Sequence, residues 1–517
     1  MKNLTESAPS PAADADIQGI LEWLAVGHDH SGSNDAEQLY GQLFKLRNTP
    51  LPLPHRIKLL DLLCGHVERI VKTELQGFQS VSLPVGRRVR QRIKRVIRLL
   101  AALTQDYFNS LAKLLDSDGG NSLHSPQNSL LRAMQGIIWQ IKISHLLAAP
   151  TGTGLWQQLH AAFRTARRLS LETFPGPRGG PGIQRAYTNI LLAAVAHPAS
   201  FSAAELTFIS SYIEGSPLPV ELSTMPPASD DGVFWIDPER DFPAHALIRR
   251  IPAPRSQPLY FSCAAVAAEI YRQLGELEAG ASAASLNLPA FAETRSGQGV
   301  LRRLAELWGN PAKRRFVRRR QFSRVNLCLG LDNLWRLMRH NDPLPQLSEW
   351  MVLNESPEGY ALMHVKGSTE GLHIGDVVAV QVIDEQDENP KPWCICLVRW
   401  AVSENPEHIE LGLQLIASRA IAAEISQPDN LDAHRVTALV LPETLPLRPF
   451  ESLLVASGKI GNGNTPLVLL IEKDNLLIRE IHAGKLTEQT SNIELFNVTR
   501  SGSTPGAVQP GSEQAAE

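Results

Sequence analysis

KRRFVRRRQFSR (residues 313–324) and NESPEG (residues 354–359) are the two stretches on which the reading of this chain turns. The first carries Arg319, Arg320 and Arg324 among seven basic residues. A guanidinium lies flat on a purine and donates two parallel hydrogen bonds to a phosphate or to the O6/N7 edge of guanine. Two arginines four residues apart, Arg320 and Arg324, can therefore grip one guanine nucleotide from two sides. In the second stretch, Asn354 supplies an amide that caps a turn or meets a base edge, Ser356 a hydroxyl, and Gly359 a position without the Cβ that blocks close backbone approach. Together they form a polar shelf between two strands.

Working outward from these stretches, the apolar residues alternate with period two. Strands are expected at 325–329, 351–353, 360–365, 377–382, 393–400 and 409–416, six short segments separated by Gly and Asn/Asp turns, which predicts a small antiparallel barrel. A further run at 435–441, 453–456, 467–471, 476–481 and 493–498 predicts a second small β-domain.

The order R-x-x-x-R, then N-x-S-x-x-G, each beside its strand, resembles the PilZ family. The matching residues are Arg320 to Arg324 and Asn354 to Gly359, supported by Leu397-Val398-Arg399-Trp400 and by Leu411 to Ile416 in later strands. The resemblance implies a six-stranded barrel over residues 311–420 that binds cyclic di-GMP, often as a stacked dimer. Arg319, Arg320, Arg324, Asn354, Ser356 and Gly359 are the implied ligand-binding residues. It also implies a signalling receptor and not an enzyme, with no cofactor besides this ligand. The interval from Arg324 to Asn354 is longer than the compact form of the family, with a short helix expected at 331–338 and a loop at 340–349.

Upstream, apolar residues recur at helical spacing from Ile17 to about Ile213, as in Leu59, Leu62, Leu63, Val67, Ile70 and Val71, and predict seven or eight helices. Pro54 and Pro126 stand near helix starts, Asn34 with Glu37 forms a capping box, and PGPRGGPG (175–182) is a loop between helices. Short strands at 233–236, 246–251 and 259–263 and two helices at 264–277 and 297–308 make a mixed α/β segment, with 279–285 as a mobile connection. The expected organisation is multidomain α + β: a disordered tail (1–16), an all-helical region (17–215), a mixed connecting module (216–310), the PilZ-like barrel (311–420), a second β-domain (421–500) and a disordered tail (501–517).

Composition narrows the function. With 517 residues, 43% hydrophobic and 20% charged, the chain has material for several cores, while a net charge of −3 gives no global field for nucleic acid or anionic lipid. No apolar run reaches the ~20 residues of a membrane span, and residues 1–16 lack the pattern of a signal peptide, so a cytoplasmic protein is expected. The cysteines (Cys64, Cys263, Cys328, Cys394, Cys396) lie in apolar segments and read as reduced core thiols. RRVRQRIKRVIR (87–98) interleaves charge with Val89, Ile93, Val96 and Ile97 and reads as a solvated helix face. His28-Asp29-His30 reads as exposed loop, Gly461 to Asn464 as a hairpin turn, and neither hydrolase nor zinc-protease motifs occur. The expectation is a cyclic di-GMP effector whose helical region meets a protein partner. The alternatives are a nucleic-acid binder using the two basic segments and a ligand-free PilZ-like adaptor.

Overall fold

The computed structural model describes residues 11–25, 35–77, 83–116, 126–216, 218, 220–311, 316–339, 345–383, 391–405, 407–428, 435–445, 448–461, 465–472 and 476–500. Contacts divide the chain into two compact units, Met1–Arg315 with Ala401–Ile409, and Phe316–Trp400 with Glu410–Glu517. His28 to His30, Asn34, residues 462–464 and the tail from 501 lie outside the described residues.

The first unit begins with α1 (Pro11–Ala25), α2 (Asp35–Asn48), α3 (Leu53–Gln76), α4 (Arg87–Asp116), α5 (Pro126–Leu146), α6 (Leu155–Arg168), α7 (Ile183–Val195) and α8 (Ala203–Gly215). Helix α1 starts within the expected tail, because Pro-Ala-Ala-Asp-Ala-Asp has the proline start and the alanines of a helix but no large apolar residue to reveal a period. Helix α4 buries Ile93, Val96, Leu100, Leu103, Tyr107 and Leu111 at spacings of three and four. Its arginines lie on the other faces, Arg92 paired with Glu74 at 2.7 Å and Arg98 over the Tyr40 ring at 4.1 Å. The segment is thus a solvated helix face, as its period indicates.

The chain continues through β1 (Val233–Ile236), β2 (His245–Ala246), β3 (Leu259–Ser262), α9 (Ala264–Glu278) and α10 (Arg295–Gly309), with the sheet ordered β2-β1-β3. Strand β2 is shorter than the expected 246–251, since the Leu247 amide makes a last bond to the Val233 carbonyl (2.9 Å) and the chain then turns ahead of Pro252 and Pro254. This mixed segment shares one core with the helices: Leu130, Ile137, Phe163 and Tyr187 belong to the same apolar cluster as Phe234, Phe261, Ile270 and Trp308. Within it His160 is fully buried, one ring nitrogen 2.7 Å from the Tyr187 hydroxyl and the other 2.8 Å from the Phe242 carbonyl.

From Phe316 onward the chain forms two closed barrels. The first comprises β4 (Arg319–Arg320), β5 (Arg324–Leu329), α11 (Leu331–Arg339), β6 (Ser348–Ser356), β7 (Gly359–Lys366), β8 (Val377–Ile383), β9 (Cys394–Asn405) and β10 (His408–Ala417). Its strands follow β6-β5-β8-β9-β10-β7 and close through β6·β7, and β4 adds to β6 ahead of β5. The second comprises β11 (Ile421–Ser426), β12 (Val436–Leu441), β13 (Ser452–Ala456), β14 (Thr465–Glu472), β15 (Leu476–Gln489) and β16 (Ile493–Arg500), closed in the order β11-β12-β13-β16-β15-β14. Numbered from the first of their six strands, both barrels run 1-2-3-6-5-4. Strand β11 is absent from the sequence reading, because Ile-Ala-Ala-Glu-Ile-Ser alternates too little in hydrophobicity to stand out.

Helix α11 joins the barrels. Leu334 and Leu337 lie in a core with Cys328, Val377, Ile395 and Leu397 of the first barrel and Leu439, Leu441 and Leu454 of the second. Trp335 Nε1 donates to the Ala423 carbonyl (2.8 Å), Thr490 Oγ1 donates to the Gly375 carbonyl (2.8 Å), and Arg399 pairs with Glu488 (3.0 Å). All five cysteines are free, and burial pushes the thiols of Cys64, Cys263, Cys328, Cys394 and Cys396 up.

Candidate functional site

Arginines and turn meet on one strand, β6. In the antiparallel pairing of β4 with β6, Arg319 stands opposite Glu355 and Arg320 opposite Asn354. Cross-strand neighbours share a face and successive residues face opposite ways, so Arg320 stands with Asn354 and Arg319 with Glu355 on the other side. After Arg320 the pairing lapses. The Gln321 amide, turned to donate, lies on the Glu355 carboxylate (2.8 Å), the Ser323 carbonyl accepts from the Val352 amide (2.9 Å), and the ladder resumes with Arg324 opposite Met351. The R-x-x-x-R segment is therefore one strand broken by an irregular step and fastened at both ends.

The NESPEG stretch closes the β6–β7 hairpin. Asn354 and Ser356 end β6, Pro357 and Glu358 make the turn, and Gly359 starts β7 at φ +151°. A Cβ on Gly359 would stand 1.9 Å from the Leu413 carbonyl oxygen of β10, a distance no side chain can adopt. The Leu415 amide donates to the Glu358 carbonyl (2.8 Å), and the Ser356 hydroxyl reaches the Gly359 carbonyl at 3.4 Å. The glycine thus lets the turn seat on β10, and the seat fixes where Asn354 and Ser356 stand relative to Arg320.

The arginines differ electrostatically. Arg324, 61% exposed in its side chain, donates to Glu349 at 3.0 Å, and the second Glu349 oxygen takes Lys366 at 2.8 Å. Lys366 first, and then Arg324, holds the Glu349 carboxyl below its ordinary range. Arg319 faces Glu355, whereas Arg320 is exposed and makes no ion pair among the described residues. Arg320, Asn354 and Ser356 thus form a row of two donors and a hydroxyl, an arrangement suited to a phosphate or to the edge of a base.

The expected residues Arg319, Arg320, Arg324, Asn354, Ser356 and Gly359 all lie on β4, β5 and the β6–β7 hairpin. The sequence reading does not include Glu349, Glu355 or Lys366. Glu349 falls at the end of the expected loop, and its pairing with Arg324 becomes visible only with the register of β5 on β6. Among the described residues no group of three or more His, Cys, Asp or Glu side chains could hold a metal ion, and no helix is long and apolar enough to cross a membrane.

Comparison with known proteins adds the family. Residues 18–225 match the family described as the N-terminal domain of the cyclic-di-GMP receptor FimW, and residues 336–421 match the middle PilZ domain of the same receptor. A curated relative, "Cyclic-di-GMP receptor FimW" of Pseudomonas aeruginosa, is 21% identical over 83% of this chain and 82% of its own length. A solved structure, "Structure of Bacillus subtilis Inhibitor of motility (MotI/DgrA)", aligns with 35% of this chain and 89% of its own at 14% identity, but with a TM-score of 0.12 that supports no argument. The chain thus carries a PilZ domain at residues 336–421, behind a region at residues 18–225 that matches the FimW N-terminal domain.

Proposed function

We propose that this protein is a receptor for cyclic di-GMP, bound by Arg319, Arg320, Arg324, Asn354, Ser356 and Gly359, and that it works by binding and not by catalysis. The observation that carries the reading is the row of Arg320, Asn354 and Ser356, with Arg320 free of any carboxylate among the described residues. The FimW relative, named a cyclic-di-GMP receptor, supports the choice of ligand. Titration of the full chain with cyclic di-GMP, cyclic di-AMP, GTP and a random DNA duplex at two salt concentrations tests it. Selective binding of cyclic di-GMP with a shallow salt slope is expected, and a steep slope with preference for the duplex would instead indicate a nucleic-acid binder.

We further propose that binding is relayed to the helical region, which meets a protein partner. The arginine segment follows α10 closely in sequence, so a ligand bound by it reaches the stretch of chain that links the helical region to the barrel. Amide hydrogen exchange over residues 309–324 should slow when ligand saturates the protein, and unchanged exchange would remove the relay.

A further inference from the structure

The arginine segment exposes apolar surface as well as charge. Phe322 lies between Arg320 and Arg324 and is 74% exposed, and upstream Phe316 is 40% and Val317 87% exposed. Its backbone is held on both sides, by the Arg320–Asn354 pairing and by the Ser323 carbonyl accepting from Val352 at 2.9 Å. Gln321, the residue before it, lies against Glu355 of β6, whereas the Phe322 ring packs on no aromatic ring or guanidinium among the described residues.

A phenyl ring exposed to water, two residues from an arginine on either side in sequence, forgoes the burial that normally holds phenylalanine. It also has the form of a base-stacking platform, because every purine has an apolar face that a flat ring covers while guanidiniums take the phosphates. The neighbouring charges, Arg319, Arg320 and Arg324, favour an occupant that is anionic as well as flat. A cyclic purine dinucleotide meets both demands.

We propose that Phe322 is a ligand-binding residue whose ring stacks on a guanine of the cyclic dinucleotide held by Arg320 and Arg324. The proposal rests on the receptor reading above. Stacking distinguishes this role from general apolar cover, since leucine buries as well as phenylalanine but offers no flat face.

The test is calorimetric titration of the full chain with cyclic di-GMP, for the wild type and for Phe322→Ala, Phe322→Leu and Phe322→Trp. These exchanges touch no core, so each variant is expected to fold, which circular dichroism checks. Phe322→Ala should weaken binding roughly 5- to 150-fold, the range of base–aromatic stacking. Phe322→Leu should fall with Phe322→Ala, and Phe322→Trp should stay within about threefold of the wild type. Phe322→Ala or Phe322→Leu binding like the wild type, or Phe322→Trp as weak as Phe322→Ala, overturns the proposal and leaves the receptor reading standing. A wild-type chain that binds no cyclic di-GMP removes the receptor reading, and the stacking proposal with it.

Discussion

Arg320 and Arg324 carry the same group four residues apart, yet they meet a ligand from different starting points. Among the described residues Arg320 has no carboxylate to leave, whereas Arg324 must release Glu349, which also holds Lys366. Removing Arg320 should therefore cost the full charge-assisted contact, so Arg320→Ala is expected to weaken cyclic di-GMP binding roughly 30- to 150-fold. Glu349→Gln should act the other way. It frees Arg324 from an exposed ion pair of modest strength, and a tightening of about two- to fivefold is expected in the same titration. Weaker binding by Glu349→Gln would mean that Glu349 positions Arg324 and does not compete for it. Both arginines and the glycine turn are legible in the sequence, because motif spacing is a local property. Glu349 is not, since what makes it a neighbour of Arg324 is strand register, which depends on the length and path of the insert between them.

At the scale of elements, α11 shows what an insert can do. The sequence reading places a helix at 331–338, and its amphipathic pattern suffices for that. It does not show that Leu334 and Leu337 enter a core built from both barrels. Leu334 is fully buried, so Leu334→Ala should cost about 2–5 kcal/mol. Because the cavity opens in a shared core, urea denaturation followed through both barrels should show one transition moved to lower denaturant. Loss of one barrel at unchanged stability of the other would contradict the shared core. Strands with Val, Leu and Ile at alternate positions are readable from sequence, and these include most of both barrels. Strand β11 is not, because Ala422 and Ala423 fill their places with too little apolar bulk to mark a period. That the second barrel closes, and repeats the 1-2-3-6-5-4 order of the first, follows from β11 and could not be read without it.

The whole molecule joins two units, each with a histidine shifted from its usual value, His160 downward and His373 upward. In the helical unit, burial holds the His160 imidazole below the usual histidine value. The unfolded chain takes up that proton near pH ~6.5 while the native state resists it, so stability contributed by His160 falls as pH drops below that value. In the barrel unit, Asp376, 3.8 Å from His373 Nδ1, holds His373 above the usual value. Its contribution is present in full below the unfolded pKa and is lost as pH rises through the folded one. Moving from pH 7.5 to 5.5 should lower the melting transition of the helical unit relative to that of the barrel unit, as read by scanning calorimetry with hydrogen exchange to assign the transitions. An unchanged or reversed gap would show that other groups dominate. The helices were legible from their period, but the continuity of their core with the mixed segment was not, because Phe234 and Trp308 reach it across long sequence separations. The core shared by the two barrels has one more consequence, a hydrodynamic one. Packed through Leu334 and Leu337, the barrels have no rotation independent of each other, so amide relaxation in residues 324–329 and 493–500 should report one and the same overall correlation time.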